Sequence, residues 1–145
     1  KREFHYVFDS HKYPGVPSVF FNTIDADSQF QIGDIDFQSI DLLHYKLPVL
    51  GYRIKDLVYI TDANNISDKQ FDKVIDCKIL ILNALRKEKH LSHFTLDQAI
   101  ELAQRTQAEQ VYFTHISHLM GKHEVVNADL PPNMQLAYDG LSIDF

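Results

Sequence analysis

Two apolar runs in this sequence end alike. Leu57-Val-Tyr-Ile-Thr61 leads into Asp62, and Gln110-Val-Tyr-Phe-Thr114 leads into His115. Each places an ionisable side chain just past the C-terminal end of a strand, where open α/β sheets present chemistry from a rigid support. A third strand-like run, residues 35–43, ends at His44. Neutral imidazole and carboxylate suit zinc, manganese and iron, so three such ends form a pattern that divalent metals use. The intervals between them are long. Spacing alone therefore leaves the ordinary alternatives standing, with Asp62 as a turn former or cap and the histidines as packing residues.

The elements that must hold these residues can be read from periodicity. Alternation of apolar and polar residues, rich in β-branched and aromatic types, predicts strands over residues 4–8, 18–24, 35–44 and 57–61. Pro14, Gly15 and Pro17 mark residues 11–17 as a loop. Ser67 followed by Gln70 is a capping-box pattern and predicts a short helix from Asp68, with a buried strand over residues 78–83. A second box, Thr95 with Gln98, opens the clearest helix, which buries Leu96, Ala99, Ile100, Leu102 and Ala103 and ends near Ala108. A strand over residues 110–114 follows. Asp139-Gly140 then predicts a hairpin joining residues 134–138 to 141–145.

Composition narrows the classes. With 145 residues, 45% of them hydrophobic, the chain has the material for one globular domain or half-domain. No stretch approaches the ~20 apolar residues of a membrane span, and no signal-peptide pattern opens the chain. A net charge of −6 argues against nucleic-acid partners, so a soluble protein with neither membrane nor nucleic-acid contacts is expected. The single cysteine, Cys77, excludes an internal disulfide and suits the reducing cytoplasm; it reads as a small buried hydrophobe. Among the eight histidines, His90 and His123 stand between Lys and Glu and read as solvated surface. Because the chain opens on Lys1 and runs at once into strand-like sequence, it reads as part of something longer.

The strings HYKLPVLGYRIKDLVYITDANNIS, SHFTLDQA, VYFTHISHLMGKHE and LAYDGLSIDF, in this order, resemble metallo-β-lactamase-fold hydrolases of the phosphoribosyl cyclic phosphate phosphodiesterase type. The resemblance runs from about Phe4 to the end. It implies an α/β (α+β) fold, the C-terminal half of an αββα sandwich, with a mostly antiparallel or mixed sheet and helices on one face. It implies two divalent metal ions, zinc or manganese, in the full-length protein. His44 matches a ligand of the first metal, Asp62 the carboxylate bridging both, and His115 a ligand of the second. His93 matches a non-ligand catalytic histidine that protonates the leaving alkoxide or holds a phosphate oxygen. His118, in the same THISH string, could lie near the site and orient a neighbour by a hydrogen bond, and Asp139 is most simply a turn residue, although the string AYDGL leaves open a contact behind the ligands.

The family's H-x-H-x-D-H motif is absent from this sequence. Three ligands are too few to hold two cations tightly, so this stretch alone is expected to be inactive and to bind no metal firmly. It is also expected to expose an apolar sheet face that a second copy can cover, giving a homodimer. For the whole protein the resemblance implies attack of a metal-activated hydroxide on a small cyclic or sugar/nucleotide phosphodiester. A nuclease, or a thioester or lactone hydrolase, of the same fold is the alternative within the enzymes, and a non-catalytic binding or scaffold module the alternative outside them.

Overall fold

Hairpins build the first half of the sheet. The computed structural model describes residues 3–11 and 13–145. Strands β1 (Gln29–Ile32), β2 (Ile35–His44), β3 (Leu47–Ile54) and β4 (Leu57–Ile60) pair antiparallel in sequence order. Two-residue turns join them, and the first residue of each turn has positive φ: Gly33 at 60°, Tyr45 at 60° and Lys55 at 54°. The second half is wound differently. After β5 (Asn65–Ile66) and α1 (Asp68–Phe71), strand β6 (Ile79–Asn83), helix α2 (Leu96–Thr106), strand β7 (Gln110–Thr114), helix α3 (His123–Ala128) and strand β8 (Met134–Leu136) follow. The sheet order is β1-β2-β3-β4-β6-β7-β8, with β5 against β2, and β4, β6, β7 and β8 run parallel.

One register row explains the core. Ile60, Leu82, Phe113 and Leu136 lie side by side across the parallel strands and are at most 1% exposed. They belong to the same buried cluster as Leu96, Ala99, Leu102 and Ala103 of α2 and Val126 of α3. Each such side chain removed from water contributes about 1.5–3 kcal/mol, so this row carries much of the folding drive. The neighbouring row, Tyr52, Tyr59, Ile81 and Tyr112, takes the opposite face by strand alternation and stays half-buried or exposed. Helices thus cover one face of a mixed sheet, as the resemblance implies. Among the described residues no helix is long and apolar enough to cross a membrane.

Several sequence expectations need correction. Residues 4–8 form a 3-10 turn at His5–Val7, and residues 18–24 join no ladder: Val19, Phe20 and Phe21 are exposed. Alternation supplies the side chains of a strand but not its partner. The edge strand is instead β1, whose Gln-Phe-Gln-Ile pairs back across Gly33. The Asp139-Gly140 bend forms, with Leu141 N–H donating to the Tyr138 carbonyl, yet residues 141–145 are not a strand, and β8 pairs parallel with β7. Thr95 and Gln98 make the reciprocal cap, at 3.2 and 3.0 Å. Ser67 makes no side-chain cap, because buried Gln70 turns its amide oxygen to the Asp41 N–H on the edge of β2, 3.1 Å away.

Gly51 shows how tightly β3 is enclosed. A Cβ there would stand 2.9 Å from Leu42 Cδ1 and 2.9 Å from the Tyr59 carbonyl oxygen. Backbone cannot yield as a side chain can, so Gly51→Ala is expected to destabilise the fold by about 1–3 kcal/mol. Urea unfolding of the two proteins checks this, and a midpoint equal to the parent's contradicts it.

Candidate metal centre

Asp62, His93, His115 and His44 meet where the strands end. Strand β4 stops at Ile60 and β7 at Thr114, so Asp62 and His115 emerge on either side of the end of β6. Both have left-handed backbone, φ 53° and 59°, a region that Asp and His tolerate better than most residues. That bend turns each side chain off the sheet and over its edge. His44 closes β2 at the same edge, and His93 comes from the loop between β6 and α2.

The Asp62 turn is fixed by its neighbour. Asn83 at the end of β6 is fully buried; its Oδ1 accepts from Ala63 N–H at 3.0 Å and its Nδ2 donates to the Ala63 carbonyl at 2.9 Å. The same carbonyl accepts from Phe94 N–H at 3.0 Å, which places His93. Asn64 N–H donates to the Leu43 carbonyl at 2.8 Å, its Oδ1 accepts from Tyr45 N–H at 2.9 Å, and its Nδ2 donates to the Leu91 carbonyl at 3.0 Å. Two residues after Asp62 therefore pin both the His44 turn and the His93 loop.

The side chains converge closely. His93 Nε2 lies 3.3 Å and His115 Nε2 3.4 Å from Asp62 Oδ1. His44, Asp62 and His93 each present a ligand atom within 4.8 Å of the others. The His93 ring is the centre of the cluster: it stacks on His115 with centroids 4.7 Å apart and meets His44 edge-on, also at 4.7 Å. Exposure grades outward, the side chain of His93 being 10% exposed, that of His115 36% and that of Asp62 47%. A carboxylate among imidazoles, held by backbone that has no freedom to relax, fits a divalent cation by the chemistry of its donors.

The remaining expected residues fall at different distances from this point. Asp139 is exposed and lines, with Thr114, His115 and Tyr138, a depression beside the cluster. His118 is exposed in the loop after β7. His123 is exposed, as expected, and its Nε2 lies 3.2 Å from the Leu136 carbonyl, tying α3 to β8. His90, expected as solvated surface, is half-buried with its Nδ1 3.0 Å from His93 Nδ1. A charged sequence neighbourhood hid it. The H-x-x-H spacing to His93 was the signal that could have found it.

Electrostatics follow from this packing. Burial penalises the Asp62 carboxylate, but the His93 hydrogen bond, His115 and Thr61 together outweigh it and hold the carboxyl below its ordinary 3.8. Burial, reinforced by the neighbouring His115, His44 and His90, pushes His93 below its ordinary 6.5 despite Asp62. Folded His93 thus takes up a proton less readily than unfolded histidine, so its contribution to stability is full above pH 6.5 and is lost as pH falls through its lower folded value. Asp62 acts in the same direction lower down, its contribution being present above 3.8 and lost as the pH drops through its depressed folded value. Metal-stripped protein should therefore lose melting temperature from pH 7.5 to 5.5, and His93→Asn should flatten that slope; an equally steep slope in the variant contradicts the assignment.

A second expectation concerns the clamp. Asn83→Ala leaves the Ala63 N–H buried without its partner, and should cost about 1–3 kcal/mol. Unfolding by urea measures it, and a loss within error of zero would refute the clamp.

Comparison with known proteins agrees with this geometry. The beta-lactamase superfamily domain matches residues 1–116. A diphosphatase of the PhnP family superposes with a TM-score of 0.85 at 31% identity, covering 99% of this chain and 53% of that one. The metallo-β-lactamase-fold protein YhfI from Bacillus subtilis superposes at 0.70 with 17% identity, over 97% of this chain and 59% of its own. Among curated proteins, an octanoyltransferase from Porphyromonas gingivalis is 33% identical over 138 residues, 94% of this chain and 28% of that protein. The chain thus spans about half of its structural relatives and about a quarter of that curated one. By the family match and the superposition, the chain belongs to the beta-lactamase superfamily domain family and has the metallo-β-lactamase fold.

Proposed function

We propose that this chain supplies part of the active centre of a metal-dependent phosphoester hydrolase acting on a small cyclic or sugar/nucleotide phosphodiester. The observation that carries the reading is the meeting of His93 and His115 on one oxygen of Asp62, with His44 in the same group. The 31% identity to a PhnP-family diphosphatase supports the phosphoester class. The octanoyltransferase likeness adds no second reading, since it covers 28% of that protein.

In this reading His44, Asp62 and His115 would hold the cations. Zinc or manganese bound there would neutralise phosphate charge as a Lewis acid and make water nucleophilic at neutral pH. The protein's own residues do the rest. Strand-end backbone keeps the ligands in place before substrate arrives. His93, the least exposed of the group, has its Nε2 at the common point and delivers a proton to the leaving oxygen. The N-terminus of α2, two residues further on, adds positive potential for a phosphate.

The two kinds of residue separate experimentally in the complete protein. Asp62→Ala should lose metal and nearly all turnover of bis(p-nitrophenyl) phosphate. His93→Ala should keep its metal and lose about 10²–10⁴ in kcat. Metal analysis beside the assay decides the roles: metal lost from His93→Ala would make His93 a ligand, and near-normal turnover by Asp62→Ala would end the proposal.

A further inference from the structure

We propose that His90 is a positioning residue that fixes the ring and tautomer of His93 so that a protonated Nε2, and not the Cε1 of a flipped ring, faces Asp62. The inference rests on the role given to His93 above, and starts from a contact that role does not use. His90 Nδ1 and His93 Nδ1 stand 3.0 Å apart, with ring planes tilted by 47°. Two imidazole nitrogens at that distance share one hydrogen, since two lone pairs or two N–H groups would repel. At its other nitrogen His93 lies 3.3 Å from a carboxylate oxygen, which only accepts. The His93 hydrogen is therefore on Nε2, its Nδ1 accepts, and His90 donates. The Ser92 N–H and hydroxyl each lie 3.4 Å from the same His90 nitrogen, longer contacts than its 3.0 Å approach to His93 Nδ1, and the Ser92 hydroxyl, 3.0 Å from His93 Nδ1, can turn to suit either partner.

A histidine in a lysine-rich loop has no reason to hold such a contact unless the loop is itself held. It is pinned on both sides of His90. Arg86 donates from Nη2 to the Lys89 carbonyl at 3.0 Å and from Nε to the Glu88 carbonyl at 3.3 Å. Asn64 donates to the Leu91 carbonyl at 3.0 Å. The carbonyls before and after His90 are thus both occupied, one by a side chain of its own loop and one by the turn that carries Asp62. The imidazole is delivered to His93 by the same clamp that delivers the carboxylate.

The consequence is orientational. Rotation about the bond to an imidazole ring is broad and nearly two-fold, so steric packing alone tolerates a flipped ring in which Cδ2 and Cε1 take the places of Nδ1 and Nε2. The His90 hydrogen bond to Nδ1 distinguishes the two orientations. Without it, His93 spends part of its time with carbon facing Asp62 in place of Nε2, or with its hydrogen on Nδ1, and the rate should fall by about 10–100-fold, the scale of partners that orient site residues.

The test uses the complete protein with metal bound, at one fixed pH. His90→Ala should lower kcat about 10–100-fold while KM and metal content stay at parental values. His90→Asn, whose amide nitrogen can occupy the place of Nδ1, should restore most of the rate, and His90→Leu should not. Nitrogen NMR of the histidine rings supplies a readout apart from turnover: the His93 hydrogen should sit on Nε2 in the parent and in His90→Asn, and distribute over both nitrogens in His90→Ala. A parental rate and tautomer in His90→Ala, or failure of Asn to do better than Leu, overturns the proposal. If instead His93→Ala itself turns over normally, the underlying role of His93 has failed, whereas a changed ring tautomer in His90→Ala would still support the positioning contact.

Discussion

The peptide unit of Ala63 is the point on which the site depends. Its N–H and carbonyl are taken by the buried amide of Asn83, and the carbonyl also accepts from Phe94. A side-chain amide imitates a strand here: it continues the ladder between β4 and β6 past the place where the backbones diverge. That lets the chain leave the sheet at Asp62 without stranding polar groups in the core, which would cost about 1–3 kcal/mol each. Because Asp62 precedes Ala63 and His93 precedes Phe94, one set of bonds places two chemical groups.

The change from antiparallel to parallel pairing turns this local device into a site. In the parallel part, β4, β6 and β7 end together, so the residues after them arrive at one edge in space although they are far apart in sequence. In the antiparallel part β2, two strands from β4, runs in the same sense as β4 and so brings its own C-terminal end to the same edge. His44 then stands beside a turn, Tyr45-Lys46, that Asn64 ties down. Ionisable side chains from both halves of the sheet meet at one edge because the hairpin half and the crossover half join at β4.

Much of this was legible in the sequence, for identifiable reasons. Asp62 and His115 could be found because a uniform apolar run must end where its sheet ends, and both runs end in Thr followed by an ionisable residue. Helix α2 was legible because Thr95 and Gln98 cap locally, without help from elsewhere. The same pattern at Ser67 located the start of α1 at Asp68, although the reciprocal side-chain bonds do not form and Gln70 turns to the edge of β2. Residues 18–24 and 141–145 have strand-like side chains and no ladder, and pairing is a property of the partner, not of the segment. His90 was missed because its burial is set by Arg86 and Asn64, and neither contact leaves a trace in the residues beside it.

The left-handed backbone at Asp62 and His115 has a meaning for how such a sequence changes over time. An L-residue in that region is strained by roughly 1–2 kcal/mol relative to glycine. At Gly33 the same kind of angle is met by glycine, at no such expense. A lineage selected only for a stable fold would drift toward glycine or asparagine at both strand ends, because the backbone gains from it and the core does not notice. Asp62 and His115 share that strained backbone with Tyr45 and Lys55, which meet it at hairpin turns. At positions 62 and 115 glycine would thus exchange an ionisable side chain for backbone ease, and the exchange would register as a gain in thermal robustness.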